Sequence, residues 1–130
     1  MSLGYIYIRS NKYWDIDNVY KFGQTVNILD IEKIYRRNEL VKGHYKMIIE
    51  IPFDIQIEDN EKLKKQLKEE LEKLEKDFEI YFKKFNIQND GGTGFYNKSI
   101  LSEIENYFIK NKIECKFLSE TEIEELIKKK

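Results

Sequence analysis

The side chains best suited to chemistry are Glu75, His44 and the adjacent Arg36 and Arg37. Glu75 lies in a stretch from about Asn60 to Phe85, where Leu63, Leu67, Leu71, Leu74, Phe78, Phe82 and Phe85 recur at helical spacing. That pattern predicts one long helix with a single apolar stripe. At ~100° per residue, Phe82 falls within ~20° of Glu75, Leu71 within ~40° and Phe78 within ~60°. A carboxylate at the edge of a buried stripe needs a cation, hydrogen bonds or a metal ion to offset its desolvation. Two readings follow, a metal-holding carboxylate or a rim glutamate paired with a lysine. His44 is the sole histidine and follows Gly43 at a strand entrance. It can carry a proton near neutral pH or simply sit in a surface loop. Cys115 belongs to the alternation Ile113, Cys115, Phe117, which places it in a strand as a small apolar group. The sequence shows no zinc-type His/Cys cluster, no P-loop and no Ser/His/Asp spacing of a serine hydrolase.

The elements that must position these residues are legible in outline. Tyr5-Ile6-Tyr7-Ile8 and Val19-Tyr20-Lys21-Phe22 are rich in strand formers and flank the polar stretch from Ser10 to Asn18, as in a long hairpin. Gly23-Gln24-Thr25 ends the second strand. Asn27 is an N-cap for a helix with Asp30 and Glu32 in its first turn and an apolar face of Ile28, Ile31, Ile34 and Tyr35. Gly43 stops that helix, Tyr45 to Ile51 form a third strand, and Pro52 ends it. Asp90-Gly91-Gly92-Thr93-Gly94 is a loop, and Asn97 caps a helix carrying Ile100, Leu101, Ile104, Tyr107 and Phe108. Ile113 to Phe117 is a short strand, and Ser119 with Glu122 makes a capping box for a last helix. With no repeat and no linker, residues 1–130 read as one domain. The expected class is α/β of the α+β type: a small central three-stranded antiparallel sheet flanked by helices.

Composition bounds the function. Of the 130 residues, 41% are hydrophobic, enough for one core. The 23 basic residues face 24 acidic ones, so a net charge of -1 gives no overall attraction to nucleic acid. Any nucleic-acid surface must be a local patch, and cleavage would need a metal ion to offset phosphate repulsion. A single cysteine forms no internal disulfide, which suits a reducing, intracellular setting. No apolar run approaches the ~18 residues of a membrane span, and no signal peptide is visible.

Two segments, Gly4-Tyr5-Ile6-Tyr7-Ile8 and Tyr20-Lys21-Phe22-Gly23-Gln24-Thr25, resemble the signature strands of the GIY-YIG nuclease superfamily. The likeness is to the branch whose second motif reads Lys-Ile-Gly, and to the module attached to helicase-like proteins of large DNA viruses. It continues through Asn27-Ile28, Tyr35, Glu39, Gly43, Glu75 and Gly92-Thr93-Gly94-Phe95-Tyr96, almost the whole chain. The resemblance implies hydrolysis of a DNA phosphodiester with one divalent ion, Mg²⁺ or Mn²⁺, in a protein acting with a helicase. It also implies that Tyr7 lies at the nucleophile side, that Glu75 holds the metal, and that Lys21 stands where the second tyrosine is found. A protonated ammonium is no general base, but it neutralises a phosphate oxygen. Tyr20, next along the strand, points to the other side. Some members of the superfamily carry a histidine in the position of His44.

Two departures weigh against activity. Eight residues after Gly23 the family places an arginine, and here Ile31 stands there, on the face of Ile28 and Ile34. Losing one such donor typically costs about 10²–10³ in rate. Arg36 and Arg37 are rotated from Ile31 by ~140° and ~240° and so replace it only if the helix is shifted. Gly94 fills a position that is usually acidic in this branch. The expectation is a weak metal-dependent endonuclease in which Tyr7, Lys21 and Glu75 converge on one surface and Arg36, Arg37 and His44 contact DNA. The alternatives are a degenerate module that binds DNA or a partner protein, and a structural domain with no nucleic-acid contact.

Overall fold

The structure, a computed structural model, describes residues 2–39, 41–82, 86–89, 92–97 and 100–128, with backbone alone at 86–89, 92–95 and 97. Its elements in chain order are β1 (Ser2–Ser10), α1 (Lys12–Asp17), β2 (Val19–Thr25), α2 (Ile28–Asn38), β3 (His44–Phe53), α3 (Asn60–Tyr81), β4 (Asn86–Asn89), β5 (Gly92–Asn97), α4 (Ile100–Lys110), β6 (Lys116–Phe117) and α5 (Glu120–Lys128). The strands form one sheet of order β4-β5-β2-β1-β3-β6, in which every neighbouring pair is antiparallel. The expected trio is its centre: β1 pairs with β2 through Tyr7↔Gly23 and Arg9↔Lys21, and with β3 through Tyr7↔Ile48.

The sheet is wider than the three strands expected. Gly92, Thr93 and Gly94 are not loop but strand, because β4 and β5 pair as a hairpin and β5 extends the sheet beside β2. Asn97 is the last residue of β5, opposite Val19, rather than the cap of the next helix. Residues 90 and 91 of the expected loop, and Phe85 of the expected helix, lie outside the described residues. Pro52 does not end β3; it pairs with Leu3 inside the strand. The outer side of β3 is covered by β6 only at Ile49 and Glu50, so no described ladder partner needs an N–H from Pro52. The polar stretch after Ser10 is not all loop. Asn11 accepts from the backbone N–H groups of Tyr13 and Trp14 and caps α1, and Asn18, with φ 57°, closes it in the left-handed conformation.

Alternation along β1 divides the molecule into layers. Ile6 and Ile8 point to one face, where Phe22, Ile49 and Ile51 meet Phe78 and Phe82 from α3 and Ile104 and Phe108 from α4. Tyr7 points to the other face and packs with Ile28, Ile31 and Tyr35 of α2 and with Ile123, Leu126 and Ile127 of α5. The sheet is therefore sandwiched between two helical layers. Gly4 is required by this packing, since a Cβ there would press on Leu71 of α3 and Phe53 at about 3 Å.

Candidate functional site

The side chains that share a face with Tyr7 follow from strand register. Tyr5, Tyr7 and Arg9 alternate on β1, with Lys21, Gly23 and Thr25 opposite them on β2. A Cβ on Gly23 would collide with the Tyr7 ring, so that glycine gives the tyrosine room to lie across β2. The Tyr7 and Tyr35 hydroxyls hydrogen-bond at 2.8 Å, and the rings of Tyr35 and Tyr45 stand edge-on to that of Tyr7. Tyr7 is 4% exposed. Burial, reinforced by Tyr35, pushes its pKa far above the ordinary phenol range. At neutral pH it is a protonated hydrogen-bonding group and cannot act as a phenolate base.

Beside it lies a charged cluster that the residue pattern did not reveal. Arg9 is 1% exposed, with its guanidinium between the rings of Tyr35 and Tyr45 at 4.4 and 4.7 Å from their centroids. It donates from Nε and Nη2 to Glu39 at 3.0 and 2.6 Å, and Nη1 stands 2.9 Å from Glu32 Oε1. Burial opposes the charge on Arg9, but the Glu39 hydrogen bonds and the neighbouring anionic groups outweigh it and raise its pKa. Glu39 also accepts from the Gly43 N–H, which fastens the end of α2 to the entrance of β3. On α2 the buried carboxylate Glu32 therefore takes a position toward the sheet, whereas Ile34 is 48% exposed. The expected face of Ile28, Ile31, Ile34 and Tyr35 is corrected at Ile34. The spacing Glu32, Tyr35, Glu39 (three, then four) was the available signal, together with Arg9 on the Tyr7 side of β1.

The other expected residues divide between the layers. Lys21 lies on the Tyr7 face with its ammonium 5.4 Å from the centroid of the Tyr35 ring. Ile31 packs against the Tyr7 cluster, as its place on α2 required. Arg36 is exposed and reaches Glu32 loosely at 3.7 Å; Arg37 is exposed. His44 opens β3 at the surface, 3.3 Å from Asp15, which also binds Lys46 at 3.1 Å and accepts from Ser10 at 2.8 Å. Partial burial opposes ionisation of Asp15, but Ser10 and Lys46 more than compensate and lower its pKa. Cys115 is half-buried immediately before β6, and burial raises its thiol pKa, so it is not an activated nucleophile.

Glu75 is the correction that matters most. It is carried by α3, which packs through Leu71 and Phe78 on the Ile6/Ile8 face of the sheet. Tyr7 and Lys21 are on the opposite face, so the three do not converge. The stripe that marked Glu75 as an edge residue also commits its helix to that layer. Burial and then the charges of Glu79 and Glu72 raise the Glu75 pKa, and none of the described cations pairs with it. Among the described residues no three His, Cys, Asp or Glu side chains gather as a metal site. The described residues therefore do not bring Tyr7, Lys21 and Glu75 together as the one-metal centre implied by the resemblance would have them. No family model, curated protein or solved structure matches the chain.

Proposed function

We propose that this chain is a GIY-YIG-like domain that binds DNA as an accessory module and hydrolyses it feebly or not at all. The observation that carries the reading is a gathering of cations at one end of the sheet. There β1 stops, β2 and β3 begin and α2 ends, so Lys12, Lys21, Arg36, Arg37, Lys42 and Lys46 come from five segments to one region. Within that region Arg9 engages Glu32 and Glu39 and Lys46 engages Asp15, while Glu120 and Glu124 of α5 stand near Arg36 and Lys42. Lys12, Arg37 and Lys42 are exposed and make no ion pair among the described residues, and it is on these that the DNA-binding reading rests, much of the chain's remaining acidity being on α3. The buried Tyr7 hydroxyl, Ile31 in the Tyr7 cluster, and Glu75 on the other face weigh against hydrolysis. Association with a helicase rests on the resemblance alone. No helix of the described residues is long and apolar enough to cross a membrane.

The test is fluorescence anisotropy with a labelled DNA duplex at two salt concentrations. We expect binding that weakens steeply with salt, because phosphate contacts release counterions. Arg36→Glu combined with Arg37→Glu should weaken it by tenfold or more. Binding that ignores both salt and this double substitution would place the DNA surface elsewhere, and no binding at low salt would reject the proposal.

A further inference from the structure

The helix α5 is held lightly for an element that covers the Tyr7 face. Each of α2, α3 and α4 carries fully buried side chains, whereas α5 carries none. It rests on the Tyr7 layer through Ile123, Leu126 and Ile127, all of them half-buried. At its start the Ser119 N–H donates to Glu122 at 3.0 Å and the Glu122 N–H donates to Ser119 at 3.2 Å, which closes the capping box. Lys116 of β6 meets Glu122 at 2.5 Å, but this pair lies at the surface, where an ion pair holds little. The packing is also incomplete, since a pocket of about 380 Å³ lies between α5, α2 and the start of β3. Few buried contacts and an exposed clasp mark an element that opens before the rest of the fold.

Opposite charges face that pocket. Glu120 and Glu124 line it from α5, and Arg36 and Lys42 line it from α2 and the segment before β3. They are not locked together. Arg36 reaches Glu32 at 3.7 Å, Glu124 reaches Lys128 at 4.0 Å, and among the described residues neither Lys42 nor Glu120 makes an ion pair. We infer that α5 is an autoinhibitory flap over the basic end of the sheet, with Glu120 and Glu124 standing where DNA phosphates approach Arg36 and Lys42. Phosphates and the α5 carboxylates then compete for the same cations, and DNA selects the form in which α5 has swung away. The inference rests on the DNA-binding reading above and adds regulation of that surface.

Ile123→Ala combined with Ile127→Ala loosens the docking of α5 while leaving every charge and every proposed DNA contact in place, and alanine keeps the segment helical. By anisotropy with the labelled duplex, this variant should bind about tenfold more tightly than the parent, the gain expected when about a tenth of the parent molecules are open. Circular dichroism checks its folding. Hydrogen exchange on the parent protein decides the matter if the variant does not fold. The amides of residues 120–128 should exchange faster when the duplex is added, with those of β1 and β2 unchanged. A folded variant that binds no more tightly, or α5 amides that DNA protects or leaves unchanged, overturns the inference and leaves the DNA-binding proposal standing. Absence of duplex binding by parent and variant alike overturns both.

Discussion

Arg9 is the residue whose environment says most about how this face of the sheet is held. A guanidinium removed from water between two tyrosine rings is stable only while Glu32 and Glu39 answer its charge. Replacing it by methionine keeps much of the volume and leaves two carboxylates without their cation. Arg9→Met should therefore cost about 3–5 kcal/mol, a large share of the ~5–15 kcal/mol that folds a typical domain. Urea denaturation measures it; a loss below ~1 kcal/mol would mean that the carboxylates turn to water at little cost. The cluster was hidden from a reading of the sequence because charged residues are rarely fully buried, and a lone arginine in a strand is ordinarily placed outward. Tyr7 and Ile31 were easier. Period-two alternation set Tyr7 apart from Ile6 and Ile8, and helical spacing put Ile31 beside Ile28, and both lie where those periods placed them.

At the scale of the element, α3 shows how a correct local reading can mislead about a site. The apolar stripe predicted the helix and its start at Asn60, where the Asp59 side chain accepts from the N–H groups of Glu61 and Lys62. It also set Glu75 at the edge of the packing surface, and the residue is indeed half-buried. What periodicity does not contain is which face of the sheet the helix will cover. That depends on the connection after β3 and on partners in α4, both far along the chain. Because Glu75 has a raised pKa, the folded state holds its proton more tightly than the unfolded chain does. The stabilisation from the protonated group is present below the ordinary glutamate range, and it is lost as pH rises through the folded value. Glu75→Gln should therefore unfold at a higher temperature than the parent at pH 7 and converge on it near pH 4. Thermal unfolding of both proteins at the two pH values checks this; a less stable glutamine variant at pH 7 would reveal a favourable partner for the carboxylate. The hairpin of β4 and β5 was missed for another reason: its glycines are turn signals by composition, and only pairing with β2 makes them strand.

For the molecule as a whole, the two helical layers separate the groups that the sequence likeness would join. One layer holds Tyr7 in a packed cluster with Ile31 beside it, and the other carries Glu75. The cations proposed to meet DNA adjoin the Tyr7 layer through Lys21 and Tyr35 and are separate from Glu75, in keeping with the proposed binding without cleavage. Incubation of supercoiled plasmid with the protein in Mn²⁺ at low salt, with the products separated on an agarose gel, tests this most directly. The plasmid should be retarded before deproteinisation and remain supercoiled after it, for the parent protein and equally for Ile31→Arg, since restoring one cation does not bring Glu75 through the sheet. Nicked or linear plasmid from the parent protein, lost in both Tyr7→Phe and Glu75→Ala variants that remain folded, would contradict the account and show that the two residues act in one centre.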